Sequence, residues 1–262
     1  MKNKEVINHI VNWLKNYAQD NKMNGFVVGV SGGIDSALTS TLCAKTGLPT
    51  LCLEMPIKQQ QSQVDRAQEH IRWLRKHHTN VAEKMVLLYP VFDALSKAVE
   101  ADEQKNEDLL SLANTRARLR MVTLYYYAAC KRYLVAGTGN KVEDFGVGCY
   151  TKYGDGGVDL SPIADLSKTQ VRALASTLGV DQKILNAPPT DGLWDDDRND
   201  EEQLGATYEQ LEWAMTQHAA GKSPADFVGE NARVLEVFIS HHNANKHKME
   251  PIPVCSIPKQ LL

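Results

Sequence analysis

Short apolar segments alternate with longer segments of helical periodicity through the first half of the chain. Apolar and β-branched residues fill the segments 25–30, 48–56, 84–90 and 132–140, and helical patterns separate them. Parallel strands need long crossover connections of this kind, because a tight turn joins only antiparallel strands. We therefore predict an α/β fold in which helices cover both faces of a parallel sheet.

Composition limits the classes of protein to which the chain can belong. Hydrophobic residues make up 43% of its 262 residues and charged residues 23%, which is typical of a folded globular protein. The net charge of −3 gives no general attraction to nucleic acid or to an anionic membrane, so we expect neither as a partner. Five scattered cysteines without a CxxC pair favour a reducing compartment, and we predict a cytoplasmic protein.

The motif SGGIDS, residues 31–36, follows the first predicted strand and leads into a helix. Gly32 and Gly33 allow a phosphate to approach the backbone, and the N–H groups at a helix start favour anions. Asp35 would repel a phosphate, so we expect a metal ion between its carboxylate and the ligand. The motif is neither a Walker A loop nor GxGxxG, and a plain strand–helix turn is the alternative.

Candidate ligand-binding side chains also follow the fourth predicted strand. Thr138 lies where a second strand-end loop should meet the same ligand, and Glu143 is a candidate second carboxylate for the metal. A helix predicted over 167–180 places Lys168 near a helix start, where a cation is unfavourable unless an anion lies close by. A surface lysine and a solvated glutamate are the alternatives.

Three further segments are open to a functional interpretation. Residues 114–120 carry three arginines on different helical faces, which could grip a carboxylate or phosphate or form a solvated basic face. The long polar loops 141–165 and 186–205 are candidate lids over a site. The late histidines 241, 242 and 247 could bind a metal only with suitable geometry.

Taken in order, these segments resemble known enzymes. SGGIDS resembles the pyrophosphate loop of N-type ATP pyrophosphatases. GVSGGIDSAL, GTGNKVEDFGVG, TKYGDGGVDLSPIADLSKTQVR, the Pro-Thr-Asp-Gly-Leu-Trp loop and a late His-Lys pair resemble ammonia-dependent NAD synthetases, over about residues 25 to 250. The resemblance implies a Rossmann-like, adenine nucleotide alpha-hydrolase-like sheet. It also implies amidation of deamido-NAD (nicotinic acid adenine dinucleotide) to NAD with ammonia, through an adenylate formed from ATP, releasing AMP and pyrophosphate.

The resemblance also assigns roles to individual residues. The residues that would contact ATP are Gly29, Val30, Ser31, Gly32, Gly33, Ile34, Asp35, Ser36, Thr138, Lys168 and Thr190. Those that would contact deamido-NAD are Arg118, Lys152, Asp159, His247 and Lys248. Asp35 and Lys168 would act in catalysis, and Asp35 and Glu143 would bind Mg²⁺. In two places the chain departs from the family pattern: Met249 replaces an arginine, and the segment 144–150 is one residue longer than in some members.

The same resemblance predicts the domain organisation and the partners. Only about 24 residues precede the first predicted strand, so we expect residues 1–262 to be a single synthetase domain without an N-terminal glutaminase domain. Free ammonia would then be the nitrogen donor, and the protein would be a homodimer. The competing hypotheses are another ATP pyrophosphatase, such as a tRNA-modifying or GMP-synthetase-like adenylating enzyme, and a regulator that binds ATP without turnover.

Overall fold

A computed structural model describes residues 1–188 and 200–262. In these residues, four parallel strands form one sheet in the order β3-β2-β1-β4. The strands are β1 (Gly25–Gly29), β2 (Thr50–Glu54), β3 (Val81–Met85) and β4 (Tyr133–Val135). The α-helices are α1 (Asn3–Asp20), α2 (Ile34–Lys45), α3 (Gln61–His77), α4 (Tyr89–Ala98), α5 (Asn106–Lys131), α6 (Lys168–Thr177), α7 (Gln182–Leu185), α8 (Asp200–Leu204), α9 (Tyr208–Ala219) and α10 (Glu230–Met249).

Separate hydrophobic cores cover the two faces of the sheet, as the sequence predicted. On one face, Phe26 and Val28 of β1 pack with apolar residues of α1, α2 and α6. On the other face, Val27 of β1 packs with apolar residues of α4 and α5. Because successive residues of a strand point to opposite faces, the apolar run in β1 supplies both cores.

The third strand begins earlier than we predicted. We expected a strand over 84–90, whereas β3 spans Val81–Met85 and α4 begins at Tyr89. Pro90 lies in the first turn of α4, a position where its fixed φ favours a helix. Leu88, just before α4, is nevertheless buried, so one of the apolar residues that suggested a strand still contributes to the core.

The loop predicted over 141–165 contains a helical segment that periodicity did not reveal. A π-helix spans Val142–Val147 and overlaps the segment 144–150, which the resemblance predicted to be one residue longer than in some family members. A π turn holds one more residue than an α turn, and π turns often occur at functional sites.

A third hydrophobic core lies outside the sheet. Apolar residues of the π-helix, α9 and α10 form it, including the fully buried Tyr208 and Phe238. This core packs the π-helix against α9 and α10. No helix in residues 1–188 and 200–262 combines the length and the apolar composition needed to cross a membrane.

Buried His70 of α3 connects the sheet-covering helices α2 and α3. Its Nε2 lies 3.0 Å from the Ser40 hydroxyl of α2, and the imidazole is almost fully buried. Burial lowers the pKa of His70 to about 4. The folded protein therefore holds this imidazole neutral at a pH where an unfolded chain protonates it.

We expect the stability of the protein to fall as the pH drops from 6.5 towards 4, in part because of His70. The unfolded imidazole takes up its proton near pH 6.5 and the folded one only near pH 4, so acid favours unfolding by roughly 2–3 kcal/mol between pH 7.5 and 4.5. Urea unfolding at both pH values measures this. The stability difference between wild type and His70→Gln should narrow by that amount, whereas His9→Gln at an exposed position should track wild type. Equal pH dependence in wild type and His70→Gln would contradict the prediction.

Candidate active site

The glycine-rich loop after β1 is held by its own serine hydroxyls. The Ser31 amide donates to Ser36 Oγ at 3.2 Å, and the Gly33 amide donates to Ser31 Oγ at 3.2 Å. Ser36 Oγ in turn donates to the Gly33 carbonyl at 2.9 Å. The two serines that the resemblance assigns to ATP binding therefore also set the shape of the loop at the start of α2.

Gly32 is the residue that this loop conformation most requires. Its φ is +84°, a region that favours glycine, and a Cβ there would lie 2.4 Å from the Gln63 carbonyl oxygen of α3. Arg66 of α3 also donates from Nε to the Gly32 carbonyl at 3.2 Å. Helix α3 thus approaches the loop so closely that a side chain at position 32 has no room.

Asp35, Glu143 and Lys168 meet in one buried cluster. Lys168 Nζ lies 2.5 Å from Asp35 Oδ2 and 2.9 Å from Glu143 Oε1. The Lys168 side chain is only 5% exposed. The anionic partners that we predicted for Lys168 are therefore, in this structure, the two carboxylates that we predicted as metal ligands.

Asn140 completes this cluster and was not among our candidates. Its side chain is fully buried and donates from Nδ2 to Asp35 Oδ1 at 3.1 Å. Its Oδ1 accepts the amides of Val142 and Glu143 at 3.1 and 3.2 Å. Asparagine commonly accepts amides at a helix start in this way, so a helix predicted after residue 140 would have revealed Asn140 as a cap. Its second contact, with Asp35, depends on the fold.

Several carboxyl groups lie close together around Lys168, and burial disfavours their ionised forms. Burial, together with the Glu143 and Asp155 carboxylates, raises the pKa of Asp144 to about 8. Burial also raises the pKa of Asp35 and of Asp155. Burial opposes the ionised form of Glu143 as well, but the Lys168 ammonium and the Tyr208 hydroxyl hold its pKa below the ordinary value.

This arrangement fits a bound cation. Asp35, Glu143 and Asp144 offer the hard carboxylate oxygens that Mg²⁺ prefers, and a cation beside Asp144 would favour the ionised form of that carboxyl group. Within the part of the chain that the structure describes, no three His, Cys, Asp or Glu side chains converge closely enough to hold a metal by themselves. Phosphate oxygens and water would have to complete the coordination, which is common for Mg²⁺.

Four of the five residues predicted for deamido-NAD lie in one connected group. Arg118 Nη2 donates to the Lys152 carbonyl at 3.3 Å, and Lys152 Nζ donates to the His247 carbonyl at 3.2 Å. Lys248 Nζ donates to the carbonyls of residues 148 and 150 at 2.6 and 2.9 Å. The C-terminal end of α10 and the loop after the π-helix thus place several cations together.

The remaining candidates are placed differently. Asp159 accepts from the Tyr125 hydroxyl at 3.0 Å and from the Val135 amide at 2.8 Å, contacts that anchor its segment to β4. Thr138 is half-buried just beyond β4. Thr190, and part of the candidate lid 186–205, lie outside the described residues. Of the three arginines in 114–120, Arg116 is buried and Arg118 is exposed, so they do not act as one fork.

Comparisons with known proteins agree on one family. The family model described as NAD synthase matches residues 6–252. An NH(3)-dependent NAD(+) synthetase from Carboxydothermus hydrogenoformans is 37% identical over 84% of this chain and 88% of that protein. One from Methanocaldococcus jannaschii is 35% identical over 95% of this chain and 96% of its own length. A structure of NMN synthetase from Francisella tularensis superposes with a TM-score of 0.85 at 34% identity, covering 98% of this chain and all of that one.

Removing the Lys168 ammonium should destabilise the protein strongly. We expect Lys168→Met to lower the free energy of unfolding at pH 7 by about 3–5 kcal/mol, because it leaves two buried carboxylates without their cation. Urea unfolding measures this. Lys141→Met, which removes an exposed ion pair with Asp165, is the matched control and should change stability by less than about 1 kcal/mol. Equal effects of the two substitutions would show that the buried cluster contributes no more than a surface pair.

Proposed function

The chain belongs to the NAD synthase family, and from this premise we propose that it converts deamido-NAD to NAD with ammonia, at the expense of ATP. AMP and pyrophosphate would be the other products. One observation carries this proposal: the buried contact of Lys168 with Asp35 and Glu143 lies at the start of α2, beside the glycine-rich loop. A protein that only bound a phosphate would have no need to bury two carboxylates there, because they repel the ligand.

The proposed reaction brings two anions together, which explains why the site needs cationic groups and N–H donors. A nicotinate carboxylate cannot be amidated directly because its leaving group would be oxide, whereas AMP is a good leaving group. The carboxylate must attack the α-phosphorus while pyrophosphate departs, so two anions approach each other. Backbone amides of the loop at residues 31–36 and the Lys168 ammonium would stabilise the charge that develops. Ammonia would then attack the acyl group and release AMP.

Asp35 and Glu143 would hold Mg²⁺ together with the phosphates of ATP. When bound, the ion would supply positive charge where the phosphate groups react. Arg118, Lys152 and Lys248 would bind the anionic groups of deamido-NAD, since their cationic side chains lie on one connected surface. We propose the loops 141–165 and 186–205 as lids that exclude water, because hydrolysis of the adenylate would waste ATP.

A second candidate substrate follows from one comparison. The Francisella tularensis structure is that of an NMN synthetase, which is named for a mononucleotide product, and the match covers 98% of this chain at 34% identity. The corresponding substrate would be nicotinic acid mononucleotide, which carries the same carboxylate without the adenylate half. The amidation step would be unchanged, so only the preference between the two substrates is at issue.

An amidation assay tests the proposal and discriminates between the two substrates. We expect the purified protein, with ATP and Mg²⁺, to form NAD from deamido-NAD and ammonium, and to form little when glutamine replaces ammonium. Asp35→Asn, which keeps the side-chain size, should lower the rate at least about 100-fold if Asp35 is part of the catalytic charge. A higher kcat/KM for nicotinic acid mononucleotide would make NMN synthesis the main activity. Release of AMP with tRNA as acceptor, and none with either nucleotide, would refute both.

We also propose that the protein is a homodimer in the cytoplasm. Val91 of α4, Val99 directly after it, and Val122 and Tyr126 of α5 are apolar and exposed. Contiguous exposed apolar patches often mark interfaces, and these residues are the candidates for such a patch. All five cysteines are free thiols, as expected of a protein in a reducing compartment.

The dimer proposal predicts a specific loss of association. Light scattering of the wild type should give twice the chain mass of 29.1 kDa, whereas Tyr126→Glu should give a monomer because it places a charge in an apolar interface. Val228→Glu, at another exposed apolar position, is the control and should remain dimeric. A wild-type monomer at full activity would exclude the dimer, and a dimeric Tyr126→Glu would exclude this surface.

A further inference from the structure

Two side chains of helix α9, one turn apart, contact the elements that form the buried cluster of Asp35, Glu143 and Lys168. Tyr208 and Glu212 occupy positions i and i+4, so they lie on the same face of the helix. Neither residue was among the candidates that the sequence suggested. The helix belongs to the third hydrophobic core, in which the Tyr208 ring is fully buried.

Tyr208 contacts two members of the buried cluster, Glu143 and Lys168. Its hydroxyl donates to Glu143 Oε1 at 2.6 Å, and the same oxygen accepts from Lys168 Nζ at 2.9 Å. Lys168 Nζ also lies 4.8 Å from the centre of the Tyr208 ring, within the range of a cation–π contact. One side chain therefore defines the position of the carboxylate and that of the ammonium.

Glu212 fixes the backbone that carries Lys168. Its carboxylate accepts the Thr169 amide at 2.9 Å and the Thr169 hydroxyl at 2.7 Å. Helix α6 begins at Lys168, and a carboxylate near a helix N-terminus is electrostatically favourable. This placement offsets the unfavourable position of the Lys168 cation in the first turn of α6.

We propose that Tyr208 and Glu212 are positioning residues for the adenylation step, which rests on the function proposed above. Tyr208 orients the Glu143 carboxylate and Glu212 orients the start of α6, so that Glu143 and Lys168 meet the phosphates of ATP in a fixed geometry. Neither residue contacts the reacting atoms. Hydrogen bonds to an ionised group are short and strong, which makes the Tyr208 hydroxyl an effective constraint on Glu143.

Conservative substitutions separate positioning from packing. Tyr208→Phe removes only the hydroxyl and keeps the ring that fills the third core. Glu212→Ala removes the contacts with Thr169, and Glu212→Gln restores a carbonyl oxygen that accepts the Thr169 amide. Tyr17→Phe in α1 and Glu209→Gln on the exposed face of α9 are the matched controls.

The experiment compares turnover with cation binding and stability. We expect Tyr208→Phe to lower kcat about 10-fold or more while KM for ATP changes less than about 3-fold, since misplaced groups cost rate more than binding. Mn²⁺ binding with ATP present and the nicotinate substrate absent, measured by electron paramagnetic resonance, should weaken about 3-fold or more, because Glu143 is less well held. Glu212→Ala should lower kcat similarly and Glu212→Gln should recover most of it. The two control variants should match wild type.

Two results would overturn the proposal. Wild-type kcat and Mn²⁺ affinity in Tyr208→Phe and Glu212→Ala would show that neither residue positions the site. Activity losses that follow the melting temperature of the variants, with Mn²⁺ binding unchanged, would show a structural role alone. A wild-type protein that amidates neither nucleotide would refute the proposed function instead, and the Mn²⁺ comparison would still decide whether Tyr208 positions Glu143.

Discussion

Asp35, Glu143 and Lys168 come from three distant segments of the chain, yet their charged groups are in contact and largely buried. Taking three charges out of water is costly unless each has close partners. The surrounding elements supply those partners: Asn140 donates to Asp35, and Tyr208 donates to Glu143. The positions of α2, the π-helix and α6 relative to one another are tied to this cluster.

The third hydrophobic core gives the cluster its rigidity. It packs α9 and α10 against the π-helix that carries Glu143. Loops at strand ends are usually more mobile than the strands, and this packing restrains the π-helix. The same core brings the end of α10 to the loop that carries Lys152. The proposed sites for ATP and for the nicotinate substrate therefore share one support.

The carboxyl groups gathered around Lys168 are the structural feature that the proposed function best explains. Asp144 and Asp155 add carboxyl groups beside Asp35 and Glu143, and burial raises the pKa of Asp35, Asp144 and Asp155. An arrangement of this kind is unfavourable for a protein that binds nothing, and a cation brought by a nucleotide would relieve it. The function proposed here uses ATP, whose phosphates would bring such a cation. That function therefore accounts for the crowded carboxyl groups.

The sequence by itself determined the parallel sheet, the helices on both of its faces and the glycine-rich loop, because these features depend on local periodicity and on residues close together in the chain. It also pointed to Asp35 and Glu143 as ligands of one metal ion, and to Lys168 as a cation with an anionic partner. Only the tertiary structure brought them into contact, shifted the third strand to Val81–Met85 and formed the π-helix at Val142–Val147. Asn140, Tyr208 and Glu212 were missed for the same reason. Their roles depend on hydrogen bonds to residues far away in sequence, or on a wide helical turn, and neither leaves a periodic pattern in the chain.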